Sequence, residues 1–173
     1  MQRHLSNQSG ITLVELVIGM ALTVLLMTAV VSLLSTSLQA WQTGSRKTEV
    51  QQTARFALDS VARELRYASN VVVDENKSGI TFKKNDTVSN EDTIYIYCSS
   101  NGVLRRVNKS EGGGAQPITG ENNVKVAATF ELDTTDNRTV SINLTAIDSY
   151  TDKLPRQSIT LKTTVVSLNV PPR

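Results

Sequence analysis

Cysteine and histidine are almost missing from this chain. A single cysteine, Cys98, among 173 residues excludes an internal disulfide and any cysteine-based metal cluster within one chain. A single histidine, His4, removes most histidine-dependent catalysis and zinc chemistry. Aromatic residues are scarce too: three Phe, four Tyr and one Trp, so the core must be small and built on Val, Ile, Leu and Ala. Neither sign of charge prevails. Lys and Arg total 18, Asp and Glu 16, and a net charge of +2 gives no global field that points to nucleic acid or to an acidic partner. No Ser-His-Asp set, paired-carboxylate pocket or metal-ligand spacing is visible, so catalytic, cofactor-binding and metal-ligating residues are all read as none, and an enzyme is not expected.

The chain does have a long apolar run. Ile11–Leu34 is 24 residues whose only ionisable member is Glu15, with Thr12, Thr23, Thr28 and Ser32 as mild polar interruptions. About 20 apolar residues suffice to cross a bilayer, so the run can span one. A secretory signal would carry a hydrophobic region of roughly 7–15 residues and then a small-x-small cleavage site. Here the run is longer and holds a carboxylate. Arg3 precedes it and Arg46 and Lys47 follow, so charge asymmetry alone does not orient the span.

Ser9-Gly10 followed by Ile11-Thr12-Leu13-Val14-Glu15-Leu16-Val17-Ile18 resembles the prepilin signal of type IV pilins and pseudopilins. The usual pattern there is Gly, then Phe-Thr-Leu-Val-Glu-Leu, and this chain departs from it by Ile for Phe. The resemblance implies cleavage after Gly10 by a prepilin peptidase and N-methylation of Ile11. It implies a leader (1–10) on the cytoplasmic side and a single-pass chain in the cytoplasmic (inner) membrane with its head outside, later drawn into an extracellular or periplasmic filament. It also implies packing of Leu13, Leu16, Val17, Leu22, Leu25, Leu26 and Leu33 against neighbouring helices. The implied partners are the prepilin peptidase, other major and minor pilins, the pilus inner-membrane platform and cytoplasmic membrane lipids; nucleic acid is not an expected one.

Glu15 fits that setting physically. A carboxylate is costly at the centre of a span and less so near its end. At about 1.5 Å rise per residue it lies about 6 Å along the helix from the Ile11 amine. In a staggered stack it can meet the amine of a neighbour, each neutralising a poorly solvated charge, and so set axial register. Solvation at head-group level is the plainer alternative.

Beyond Leu34 the helix is expected to continue, with Trp41 as an interfacial anchor and Gly44 as its weak point. Val50, Ala54, Ala57, Leu58, Val61, Ala62, Leu65 and Ala68 recur at three- and four-residue spacing, opposite Gln51, Arg55, Asp59, Arg63 and Arg66. A helix from Ile11 to about Ala68 would run about 90 Å, so half of it must pack on something other than its own domain. The segments are therefore 11–34 for membrane and assembly, 35–69 for the amphipathic continuation and 70–173 for a β-rich head.

In the head, Gly79–Lys83, Thr93–Cys98, Val103–Val107, Val124–Leu132, Arg138–Ile147 and Gln157–Leu168 read as strands, with Asn101-Gly102 as a hairpin turn. Cys98 shares a face with Ile94 and Ile96 and reads as a small buried hydrophobe. Lys109–Pro117 reads as a loop and Val170–Arg173 as a terminator. The expected fold class is α+β, one long helix laid on an antiparallel sheet.

The run Arg55–Ala68 and the pair Asp92–Cys98/Gly102–Arg106 further resemble minor pilins of the PilW kind and the type II secretion minor pseudopilin J. That resemblance implies a minor subunit that primes or caps a filament, with a tip-borne adhesin or DNA receptor, or a secretion pseudopilin, as alternatives. Two other groupings call for weighing. Asp133, Asp136 and Asn137 could ligate calcium, though a solvated turn is the plainer reading. Lys83, Lys84, Arg105, Arg106 and Lys109 with Tyr95 and Tyr97 could touch DNA, but alternation puts Arg105 and Arg106 on opposite faces.

Overall fold

A computed structural model describes residues 11–85, 91–120, 123–151 and 154–168. The leader 1–10, with Gly10, and the Val170–Arg173 terminator lie outside the described residues. The chain forms two compact units, one ending at Gln42 and one beginning at Thr43.

Helix α1 covers Leu13–Arg66. Thr12 is its N-cap: its Oγ1 accepts the Glu15 N–H at 3.3 Å and its carbonyl the Leu16 N–H at 3.1 Å. Acidic Glu15 lies in the first turn and basic Arg63 and Arg66 in the last, each favourable to the helix dipole. The helix closes with a tightened turn, Tyr67 N–H to Glu64 O, two residues earlier than the periodicity suggests. Ala68 is buried as expected, but as the first residue of a strand.

In the second unit eight strands follow, all antiparallel: β1 Ala68–Val73, β2 Gly79–Asn85, β3 Glu91–Cys98, β4 Leu104–Asn108, β5 Gln116–Pro117, β6 Val124–Leu132, β7 Thr139–Asp148 and β8 Ser158–Val166. Strands β1 and β5 are additions to the six expected. β1 hides its period because it bulges between Ser69 and Val72, where Asn70 takes φ 48°. β5 is two residues of the expected loop, pulled onto β4 by the Ile118 N–H to Leu104 O bond of 2.8 Å.

The strands sort into two sheets, β1-β2-β3-β4-β5 and β6-β7-β8. The β3–β4 hairpin joins them. Its Gly102 has φ 76°, and its carbonyl accepts the Val126 N–H at 2.7 Å. A Cβ there would come within 2.7 Å of Lys125 Cβ, so a left-handed turn and a close approach both call for glycine.

One core serves both sheets. The helix contributes a stripe, Val50, Ala54, Ala57, Val61 and Leu65, all buried. Ala54 and Ala57 have no exposed surface, and their small size lets the helix come close to the sheets. Phe82, Ile94, Ile96 and Leu104 fill the first sheet's side, and Phe130, Ile142 and Leu144 the second's. Each such side chain contributes about 1.5–3 kcal/mol by leaving water. Leu58 and Ala62 are only half-covered.

Candidate assembly element and processing signal

The first unit presents its apolar side chains outward. Ile11, Leu13, Leu16, Val17, Leu22, Leu25, Leu26 and Leu33 are all exposed, as is Trp41. An exposed apolar surface of this extent marks a membrane or a partner interface. Its length and composition suit it to cross a bilayer, and none of that stretch is buried.

Several hydroxyls in and just after the stretch are satisfied from within, as hydrocarbon favours. Thr23 donates its hydroxyl to Gly19 O at 2.7 Å and Thr28 to Val24 O at 2.8 Å. Ser35 and Thr36 both donate to Ser32 O, at 2.9 and 3.0 Å. Thr23 and Thr28, which look like interruptions in sequence, therefore bond back one turn.

Glu15 stands at the third position of the helix, three after the Thr12 cap. Thr-x-x-Glu is the spacing of a capping box, and the structure shows the half in which Thr12 Oγ1 accepts the Glu15 N–H. The sequence reading did not name Thr12 as the cap, although the spacing was there to be read. Ile11 precedes the helix and is exposed, one residue before the cap.

The groupings in the head resolve differently. Register places Lys83, Tyr95, Tyr97 and Arg105 on the outer face of the first sheet, and Lys84 and Arg106 on the inner one. Arg106 pairs with Glu64 on α1, its Nε 3.0 Å from Oε1. The Tyr95 and Tyr97 rings stack at 5.0 Å and 13°, and Lys109 Nζ lies 4.4 Å from the Tyr95 centroid. Lys109 follows the register beside Thr93, so it covers the face of Tyr95 away from Tyr97. With both faces of that ring taken, Tyr95 is no open platform for bases.

The Tyr95 hydroxyl donates to Asp74 Oδ2 at 2.7 Å. Burial first, and then the Asp74 carboxylate, push its pKa from 10.0 to about 12. Asp133 and Asp136 are engaged in the β6–β7 turn. Asp133 Oδ1 accepts the Thr135 N–H at 2.8 Å, and Asp136 accepts from the Arg138 N–H and the Thr139 hydroxyl. The Thr139 bond is the main reason the Asp136 carboxyl titrates below its usual range. Among the described residues no group of three His, Cys, Asp or Glu side chains could hold a metal. Cys98 is half-buried at the core's margin. Its thiol donates to Val126 O at 2.8 Å, and burial pushes its pKa up.

Residues 5–31 match the family model for the prokaryotic N-terminal methylation motif. No curated protein and no solved structure matches the chain. The motif implies processing by a prepilin peptidase and assembly with other pilins, and with the exposed apolar helix it is consistent with membrane anchoring. The match over 5–31 and the long N-terminal apolar helix fit a type IV pilin-like prepilin signal, and the α+β head is consistent with a pilin-like fold.

Proposed function

We propose that this chain is a minor pilin or pseudopilin, a non-enzymatic structural subunit that primes or caps a type IV pilus-like filament. The observation that carries the reading is the methylation motif running directly into a helix whose large apolar side chains are exposed as far as Leu34 and whose Thr23 and Thr28 hydroxyls bond back one turn. In this account a prepilin peptidase cuts after Gly10 and Ile11 becomes the N-methylated first residue. The processed chain waits in the cytoplasmic membrane with its head outside, where the pilus platform draws it into the filament. Burial of Leu13, Leu16, Val17, Leu22, Leu25, Leu26 and Leu33 against neighbouring helices drives entry. Glu15 pairs with a neighbour's Ile11 amine and sets the axial step, since two charges poorly solvated alone neutralise each other there.

The test is Glu15→Leu in cells that make the filament. The variant should still be processed and held in the membrane, because the apolar run is lengthened. It should be absent from sheared filaments. Incorporation at the wild-type level would remove the register role.

A further inference from the structure

Sheet edges carry unpaired N–H and C=O groups, and folded proteins blunt them with short strands, bulges, proline, charged side chains or a covering element. Among the described residues, three of the four sheet edges are blunted in this way. β1 is bulged at Asn70, and β5 has two residues and ends in Pro117. β6 is held to the other sheet by the Val126 N–H to Gly102 O and Phe130 N–H to Lys77 O bonds, of 2.7 and 2.9 Å. β8 has one of these devices, a single lysine, and none of the others. Its nine residues keep unbroken register with β7 from Ile147↔Ser158 to Thr139↔Val166, with no proline and one charge, Lys162.

The direction of the open groups follows from one bond. Ser167 N–H donates to Arg138 O, on the β7 side. With period two, Thr160, Lys162, Thr164 and Val166 then turn their N–H and C=O away from β7. Leu168 N–H, in the same phase, reaches Arg66 O at 2.9 Å and closes the far end of the open stretch.

Burial along β8 is also incomplete. Val126, Ile142 and Leu144 on β6 and β7 are buried, whereas Ile159 and Leu161, facing the same core, are half-exposed. Leu58 and Ala62 share one helix flank with Lys47 and Gln51, and are half-exposed too. Where that flank meets the start of β8, Lys47, Val50, Gln51, Gln157, Ser158 and Ile159 line a cavity of about 140 Å³. The exposed charges beside the edge are mainly cationic, Lys47, Arg156 and Lys162; of the nearby carboxylates, Asp148 is buried and accepts the Gln157 N–H at 2.8 Å, and Glu131, across β7 and within electrostatic reach of Lys162, is paired with Lys77 at 2.7 Å.

We propose that the free edge of β8 is a strand-docking site that takes an extended segment of another protein subunit, apolar at one set of alternating positions and acidic at the other, as a fourth strand of the second sheet. Its backbone pairs with Thr160, Lys162 and Thr164, its apolar side chains cover Ile159 and Leu161, and its carboxylates lie beside Lys162 and Arg156. The inference stands on the head alone and is independent of the filament reading.

The test uses the full chain in detergent micelles and a blocked peptide of alternating valine and glutamate long enough to span β8. The peptide should slow amide exchange at Thr160, Lys162 and Thr164 by at least about tenfold. A valine–lysine peptide should bind at least about tenfold more weakly. Thr164→Pro removes an outward N–H without touching the β7 ladder, and should abolish the protection. Lys162→Glu leaves the backbone intact and should reverse the preference between the two peptides. No protection of β8, protection that survives Thr164→Pro in a folded variant, or a charge preference unmoved by Lys162→Glu would each overturn the proposal.

Discussion

Arg106 on β4 and Glu64 on α1, 42 positions apart, meet with the guanidinium Nε 3.0 and 3.1 Å from the two carboxylate oxygens. Both side chains are about three-quarters covered, at 26% and 24% exposure, so the pair ties the helix to the first sheet at the rim of the core. Arg106→Leu leaves Glu64 three-quarters covered without its guanidinium partner and should lower the head's stability by about 1–2 kcal/mol. Urea unfolding of the detergent-solubilised chain measures this. The double variant with Glu64→Leu should be less destabilised than the sum of the singles, and strict additivity would mean that the two do not interact.

Tyr95 makes an alkaline prediction. Its folded pKa, about 12, lies above the ordinary 10.0, so the folded state keeps the phenolic proton after the unfolded state has lost it. The associated stability is fully present below pH 10.0 and is lost as pH rises towards about 12. One tyrosine should titrate late in the tyrosinate absorbance of the folded chain. Asp74→Asn removes the carboxylate and should bring that titration down, and an unchanged curve would detach Tyr95 from Asp74.

Gly79 sits beneath that pair. A methyl group there would overlap Asp74 Oδ2 and come within 2.6 Å of the Tyr95 hydroxyl. Gly79→Ala should therefore displace the hydrogen bond and cost about 1–3 kcal/mol. Thermal unfolding measures the loss, and the late tyrosine titration should move down with it.

Cys98 should be a poor nucleophile, since burial raises its pKa and its proton is directed to Val126 O. Maleimide should label it slowly in the folded chain and completely in urea. Equal rates would place the thiol in open solvent.

The assembly helix was legible in the sequence because its signals are local. A 24-residue run with one ionisable group has few other readings. The buried stripe from Val50 to Leu65 is written at three- and four-residue spacing in the order the structure uses it. β1 was hidden because Asn70 breaks the alternation, and β5 because it is short and holds a proline. The division into two sheets was not legible, because period two says which side chains share a face and not which strands pair. That choice rests on remote contacts, such as Gly102 on Lys125 and Phe130 on Lys77, which no window of sequence contains. The pairing of Arg106 with Glu64 was hidden for the same reason.

The most direct test of the central claim is mass spectrometry of the chain's N-terminal peptide, taken from sheared filaments and membranes of cells with an active prepilin peptidase. The account predicts a peptide that begins with N-methylated Ile11, in both fractions, and its loss in cells without the peptidase. A chain that keeps Met1–Gly10 in the presence of the peptidase, or one cut beyond the apolar run near Ser35–Ser37, would contradict it.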